Sequence, residues 1–280
     1  MKAPDVIIVG GGFAGLTAAA ALSRQGASVT VFERAPSYDR QFRGELIHPR
    51  GVRGLDAVGL AQPLFDGGGI PVRGFAVTPG AGADATLLPY RSDSGPGMGI
   101  DHEHMVLTMR REVARRAGVQ VVTGLRVSEL LREGQRVTGV EVEGGAVHRA
   151  SLVVLADGRQ SKLRARLGLE PEVTLLSHTI AFGVEGTPLP WGLRGHVFLG
   201  GPGPILAYPY GEGRVRFCVD VPLGAAKGKA AIIEYLVAKA APVVPQPLRD
   251  AMEASLRTHG FEGCANQSIQ TQACAAPGVV

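Results

Sequence analysis

The feature that most constrains this chain is residues 6–33, VIIVGGGFAGLTAAAALSRQGASVTVFE. Residues 6–10 have the makings of a buried strand that stops at a glycine cluster. An alanine-rich run, 16–22, predicts a helix, and 28–32 a second apolar strand ending at the acid Glu33. Gly10, Gly12 and Gly15 stand at G-x-G-x-x-G spacing between the first strand and the helix. Each glycine has a separate task. Gly10 lets the chain turn sharply, Gly12 lets the backbone approach a pyrophosphate with no Cβ in the way, and Gly15 lets the helix lie close on the strand.

Phosphates belong at the start of that helix, around Phe13 and Ala14, where unpaired N–H groups and the helix dipole favour negative charge. Glu33 is placed to accept hydrogen bonds from ribose hydroxyls and to repel a 2′-phosphate, which suits FAD or NAD and not NADP. The glycine spacing alone is a weak signal in a chain of forty glycines. The flanking strand, helix, second strand and acid, all in register, make it a dinucleotide site.

At 280 residues the chain is long enough for one large domain or two ordinary ones. A hydrophobic content of 45% with 19% charged residues excludes a disordered chain. The net charge of +4 is modest and its arginines are scattered, which argues against a nucleic-acid surface. Cys218, Cys264 and Cys274 form no C-x-x-C pair, so neither a zinc site nor a disulfide framework is expected, and a cytoplasmic setting fits. His102 and His104 stand two apart on a predicted helix, which points them apart, so no metal is expected. No apolar run is long enough for an integral membrane segment. The abundance of Gly, Ala, Arg and Pro fits a GC-rich bacterial genome.

Further along, a helix is expected at 102–117 and short strands at 119–122, 125–132, 136–142 and 147–149. The apolar strand 151–156 should return to the parallel sheet and end at Asp157-Gly158. From residue 173 the pattern changes to strands separated by Gly/Pro turns, a second and mostly antiparallel sheet followed by two helices. The expected organisation is a dinucleotide-binding domain at 1–170, with a substrate-facing excursion near 70–100, and a substrate domain at 171–264. Residues 265–280 would begin a return to the first domain, cut short just inside a buried strand.

Three segments match one family. Residues 10–15 with Glu33-Arg34 resemble the first motif of the FAD-dependent aromatic hydroxylase superfamily, and residues 152–164, LVVLADGRQSKLR, resemble its second. Within that superfamily the chain is most similar to the squalene monooxygenases (squalene epoxidases). Residues 33–60, 87–90 (LLPY), 102–110 (HEHMVLTMR), 201–210 (GPGPILAYPY) and 214–222 (RVRFCVDVP) carry this likeness. The resemblance implies an α/β fold: a Rossmann-type FAD-binding domain of the glutathione-reductase-like kind, with an inserted antiparallel β-sheet domain facing the substrate.

It also implies roles. Glu33 and Arg34 would hold the adenosine end of FAD, Arg40 and Arg43 the pyrophosphate or ribityl region, and Arg110 and Arg126 further parts of the cofactor. Asp157-Gly158 would lie near the pyrophosphate, and Tyr90 beside the flavin and the substrate channel, where it could deliver a proton through a water. Phe182, Phe198, Leu206 and Tyr208 are expected to wall the substrate pocket. The implied reaction is a monooxygenation with NADH or NADPH as transient reductant. A flavin C4a-hydroperoxide would give one oxygen atom to a hydrophobic isoprenoid, polyketide or aromatic molecule, by epoxidation or hydroxylation. A flavin-dependent reductase of isoprenoid double bonds and a non-catalytic nucleotide-binding fragment stay open as alternatives.

Overall fold

The structure is a computed structural model that describes residues 3–38, 45–80, 82–271 and 273–280. Its first layer is a four-stranded parallel sheet in the order Leu152–Leu155, Val6–Val9, Val29–Glu33, Val119–Thr123. Val6–Val9 is central and buried on both sides, which is why it is apolar at every position and not at alternate ones. Val6 and Ile8 face a core built with Leu16, Ala20, Met105 and Met109 from the helices Phe13–Arg24 and His102–Ala114. Ile7 and Val9 face the opposite way, onto Val127, Val140 and Val142 of an antiparallel three-stranded sheet, Val127–Glu133, Arg136–Val142 and Val147–Arg149. This is the α/β, Rossmann-type arrangement expected.

The second layer is a seven-stranded sheet in the order Glu262–Gln270, Glu172–Glu185, Arg214–Pro222, Ile205–Gly211, Gly195–Phe198, Gly74–Thr78, Thr86–Pro89. Its pairings are antiparallel except for Gly195–Phe198 with Gly74–Thr78. Helices Lys229–Lys239 and Leu248–Thr258 cover one face and bury Ile180, Val184, Val215, Phe217, Val219 and Val221 against Leu236 and Met252. Alternation then sends Thr179, Cys218 and Asp220 to the other face, where they are only half-buried.

A small sheet of Leu46–Ile47, Gly97–Gly99 and Ile70–Val72 joins the two layers. A Cβ at Gly99 would fall 1.8 Å from Pro209 O, so only glycine permits this contact. Residues 97–99 form a strand because Gly97 and Gly99 let backbones meet where side chains would have kept them apart. The helix expected to reach residue 117 ends at Ala114. Strand Glu262–Gln270 runs across the expected domain boundary at 264 and stays in the large sheet. The chain returns to the parallel sheet at Val279, which bridges Val153 in parallel fashion. Strand 262–270 carried little sequence signal because it is an edge strand with polar residues on its half-buried side. Among the described residues, no helix is long and apolar enough to cross a membrane.

Candidate functional site

The glycine turn and the Asp157 segment, far apart in sequence, lie against each other. Gly10 has φ +106°, and a Cβ on it would sit 2.3 Å from Ala156 O and 2.9 Å from Asp157 Cα. Parallel pairing holds the two together: Ala156 N–H donates to Val9 O at 2.8 Å, directly before the turn. A Cβ on Gly15 would fall 1.9 Å from Gly10 O, the close helix–strand approach anticipated for it. At Gly12, by contrast, a Cβ would meet nothing within 4 Å. The helix behind it has no side-chain cap and no acid in its first turn, with Phe13 and Ala14 exposed. Its first internal bond is Leu16 N–H to Gly12 O at 2.9 Å, which leaves the earlier N–H groups for an anion.

Glu33 stands beside this cradle. Its Oε2 accepts from Gly11 N–H at 2.7 Å and its Oε1 from Ala35 N–H at 2.9 Å. The chain after it borders a cavity of about 440 Å³ lined by Arg34, Ala35, Pro36, Ser37, Tyr38, Arg126 and Glu143. Leu125 N–H donates to Glu33 O at 3.0 Å, which brings Arg126 to this wall, where its Nη1 lies 3.7 Å from Glu143 Oε1. Arg110 reaches the same segment from its helix, donating from Nη1 to Ser37 O at 3.3 Å. Its Nε is buried and has no hydrogen-bond partner among the described residues. Arg34, Arg110 and Arg126 therefore converge on one short stretch of chain. Arg40 and Arg43 lie outside the described residues.

A family model described as an FAD binding domain matches residues 3–227. This chain belongs to that FAD binding domain family. Among curated proteins it is 31% identical to squalene epoxidase 3 of Arabidopsis thaliana over 99% of the chain and 54% of that protein. It is 34% identical to the 6-methylpretetramide 4-monooxygenase of Streptomyces rimosus over 73% of the chain and 50% of that protein. The chain thus spans about half the length of these relatives. Among solved structures, pqsL, a probable FAD-dependent monooxygenase from Pseudomonas aeruginosa, superposes with a TM-score of 0.78 at 23% identity, over 99% of this chain and 77% of that one.

The residues of this FAD binding domain fit that cofactor on four observations. There is open space over Gly12, a carboxylate at the end of the second strand, a cavity beside it, and a buried guanidinium Nε without a partner. Asp157 and Gly158 are exposed at the edge of the cradle, and Gly158 has φ +98°. Tyr90 is half-buried, with its Oη 2.8 Å from His48 Nδ1 and its ring edge-on to Phe75 at 6.1 Å. Burial pushes its phenol up from the ordinary range.

Two of the four expected pocket residues lie elsewhere. Phe182 stacks on Phe217 with ring centres 5.2 Å apart, and both Phe182 and Phe198 are buried in the core beneath the helices. Strand parity decides this, because the bulky apolar positions of this sheet face the helices and cannot also face a pocket. Leu206 and Tyr208 do lie on the other face. Leu206 is half-buried, while Tyr208 is buried with its Oη 3.8 Å from Cys218 Sγ. Burial first, then the neighbouring Cys218, holds the Tyr208 phenol well above its usual range.

A charged cluster between the layers was not foreseen. Arg216 makes a two-pronged pair with Glu45, Nε to Oε2 at 2.6 Å and Nη2 to Oε1 at 2.8 Å. Arg214 Nη1 donates to Asp101 Oδ2 at 3.2 Å, and both guanidinium groups lie 4.5 Å from the centre of the Tyr210 ring. Burial pushes the Glu45 carboxyl up, against the pull of Arg216. Burial opposes charge on Arg216 too, but the Glu45 carboxylate outweighs it and holds the guanidinium above its usual range. Asp101 also caps helix His102–Ala114, accepting from Glu103 N–H at 3.0 Å and His104 N–H at 3.2 Å. The alternating charges of Arg214 and Arg216 inside a strand were the available signal. Among the described residues no group of three or more His, Cys, Asp or Glu side chains could hold a metal ion.

Proposed function

We propose that this protein is an FAD-dependent monooxygenase that inserts one oxygen atom from O2 into a hydrophobic small molecule, by epoxidation of an alkene or by hydroxylation, with NADH or NADPH as reductant. The observation that carries this is the contact of the Gly10 turn with Ala156 and Asp157, which gives two distant motifs a shared cradle. Reduced FAD supplies the oxygen-activating chemistry, and this chain provides position, charge and shelter from water. The helix start at Gly12–Ala14 takes the pyrophosphate, with Asp157-Gly158 at its edge. Glu33 accepts from the ribose hydroxyls, Arg34 and Arg126 flank the adenosine end, and Arg110 braces the same stretch of chain through Ser37 O.

Tyr90 carries its proton at neutral pH as any phenol does, and burial raises its pKa further. Paired with the exposed His48, it can pass a proton from solvent toward the reacting oxygen through a water. The half-open face of the seven-stranded sheet, with Leu206 and Val197, receives the substrate.

The test is direct. The purified protein, mixed with FAD and freed of excess, retains a visible flavin band, and NADH or NADPH oxidation consumes oxygen in step with product formation. A protein that retains no FAD overturns the assignment, and FAD retention with double-bond reduction but no oxygen uptake overturns its oxygenase part.

A further inference from the structure

On the half-open face of the large sheet, three neighbouring strands bring together Thr179, Asp220 and Asn266. Thr179 Oγ1 donates to Asp220 Oδ1 at 2.5 Å. Asn266 Nδ2 donates to Asp220 Oδ2 at 3.2 Å and to Ser177 Oγ at 3.0 Å. All four side chains are half-buried. No ion pair involves Asp220 among the described residues. A carboxylate has about four acceptor sites, and the protein fills two of them here. A carboxylate drawn partly out of water without a cation needs further donors, and those left open lie on the side away from the helices.

The place of this cluster is as informative as its chemistry. Arg159, two residues beyond Asp157, donates from Nη1 to Ala265 O at 3.2 Å, directly beside Asn266. The cluster therefore stands next to the loop that abuts the Gly10 turn. Across the same face the surface becomes apolar: Cys218 pairs with Leu206, Leu206 with Val197, and Val197 with Val77. Across the strands the wall is polar at Asp220 and apolar at Leu206, Val197 and Val77, while along its own strand it runs into the Arg216–Glu45 pair.

We propose that Asp220, supported by Thr179 and Asn266, is a specificity-determining subsite that accepts a hydrogen bond from a hydroxyl group on an otherwise apolar substrate. This rests on the monooxygenase assignment above, because it takes the same face as the substrate wall. A pure hydrocarbon lying there would cover the carboxylate and give it nothing, whereas an alcohol or phenol completes its set of donors. One hydrogen bond to a charged group corresponds to about tenfold or more in affinity.

Equilibrium dialysis of the full chain against 2-naphthol and naphthalene, with and without FAD, tests this. The native protein is expected to bind 2-naphthol about tenfold more tightly than naphthalene. In Asp220→Leu the preference should fall to about twofold or less, with naphthalene binding retained. If Asp220→Leu does not fold, judged by circular dichroism, Asp220→Asn should lose at least about threefold of the preference. Equal binding of the two probes by the native protein overturns the proposal. So does a variant that melts at a lower temperature yet keeps the full preference, since that is the mark of a purely structural tie. FAD retention, read by visible absorbance in the same samples, separates a failure here from a failure of the flavin assignment.

Discussion

Gly12→Ala separates cofactor binding from folding. Gly12 has φ −87° and ψ −170°, a conformation open to alanine, and its new Cβ would meet no atom of the chain within 4 Å. As the residue before the helix it costs the helix start under about 1 kcal/mol. The methyl instead occupies the space through which a pyrophosphate must approach the first N–H groups. Losing one charge-assisted hydrogen bond weakens binding by roughly 1.5–3 kcal/mol, or about 10- to 150-fold in Kd. Gly10→Ala is the contrast. There φ is +106° and the methyl would sit 2.3 Å from Ala156 O, so strain of about 1–3 kcal/mol adds to a comparable overpacking cost. Fluorescence titration of FAD together with urea unfolding reads both quantities. Gly12→Ala should keep its unfolding midpoint and lose FAD affinity, while Gly10→Ala should lose stability first. An FAD Kd unchanged in Gly12→Ala would refute the placing of the pyrophosphate.

Removing one member of the buried pair, as in Arg216→Met, should cost about 3–5 kcal/mol in urea unfolding, and the double variant with Glu45→Gln should recover part of it. His196 is buried neutral: Nε2 accepts from Trp191 N–H at 3.2 Å, Nδ1 faces Arg194 O at 3.1 Å, and burial lowers its pKa to about 4. The unfolded chain therefore binds the extra proton between about pH 6.5 and 4. Stability should fall by roughly 3 kcal/mol as pH drops through that window, and His196→Gln should flatten the profile. Tyr90→Phe should leave FAD affinity unchanged and raise the hydrogen peroxide released per NAD(P)H oxidised; an unchanged ratio removes Tyr90 from proton delivery.

Much of the parallel sheet was legible because its information is local. Residues 6–33 contain a strand, a turn, a helix and a second strand in one unbroken run, and Gly11 and Gly15 encode contacts within it. The apolar run 152–155 likewise announced a strand packed on both faces, with Val153 fully buried. Phe182 and Phe198 were misplaced for a physical reason. A sheet with one covered face hides its bulkiest side chains there, so the opposite face of these strands carries the small and polar positions, Ala181, Gly183, Cys218 and Asp220. The pairing of Glu45 with Arg216 joins residues on different layers, and no periodicity in either segment encodes it. The closeness of Gly97–Gly99 to Pro209 belongs to the same class, since nothing near Gly99 names its neighbour.

The division of labour within the seven-stranded sheet has an evolutionary consequence. Phe182, Phe217, Val219 and Val221 carry the packing against the helices, while Thr179, Cys218 and Asp220 alternate with them along the same strands and carry almost none. If the open face receives the substrate as proposed, residues that select it are interleaved with residues that hold the scaffold, and strand alternation turns the two sets to opposite sides. A lineage can rewrite its chemical preferences one neighbouring position at a time without passing through unfolded ancestors.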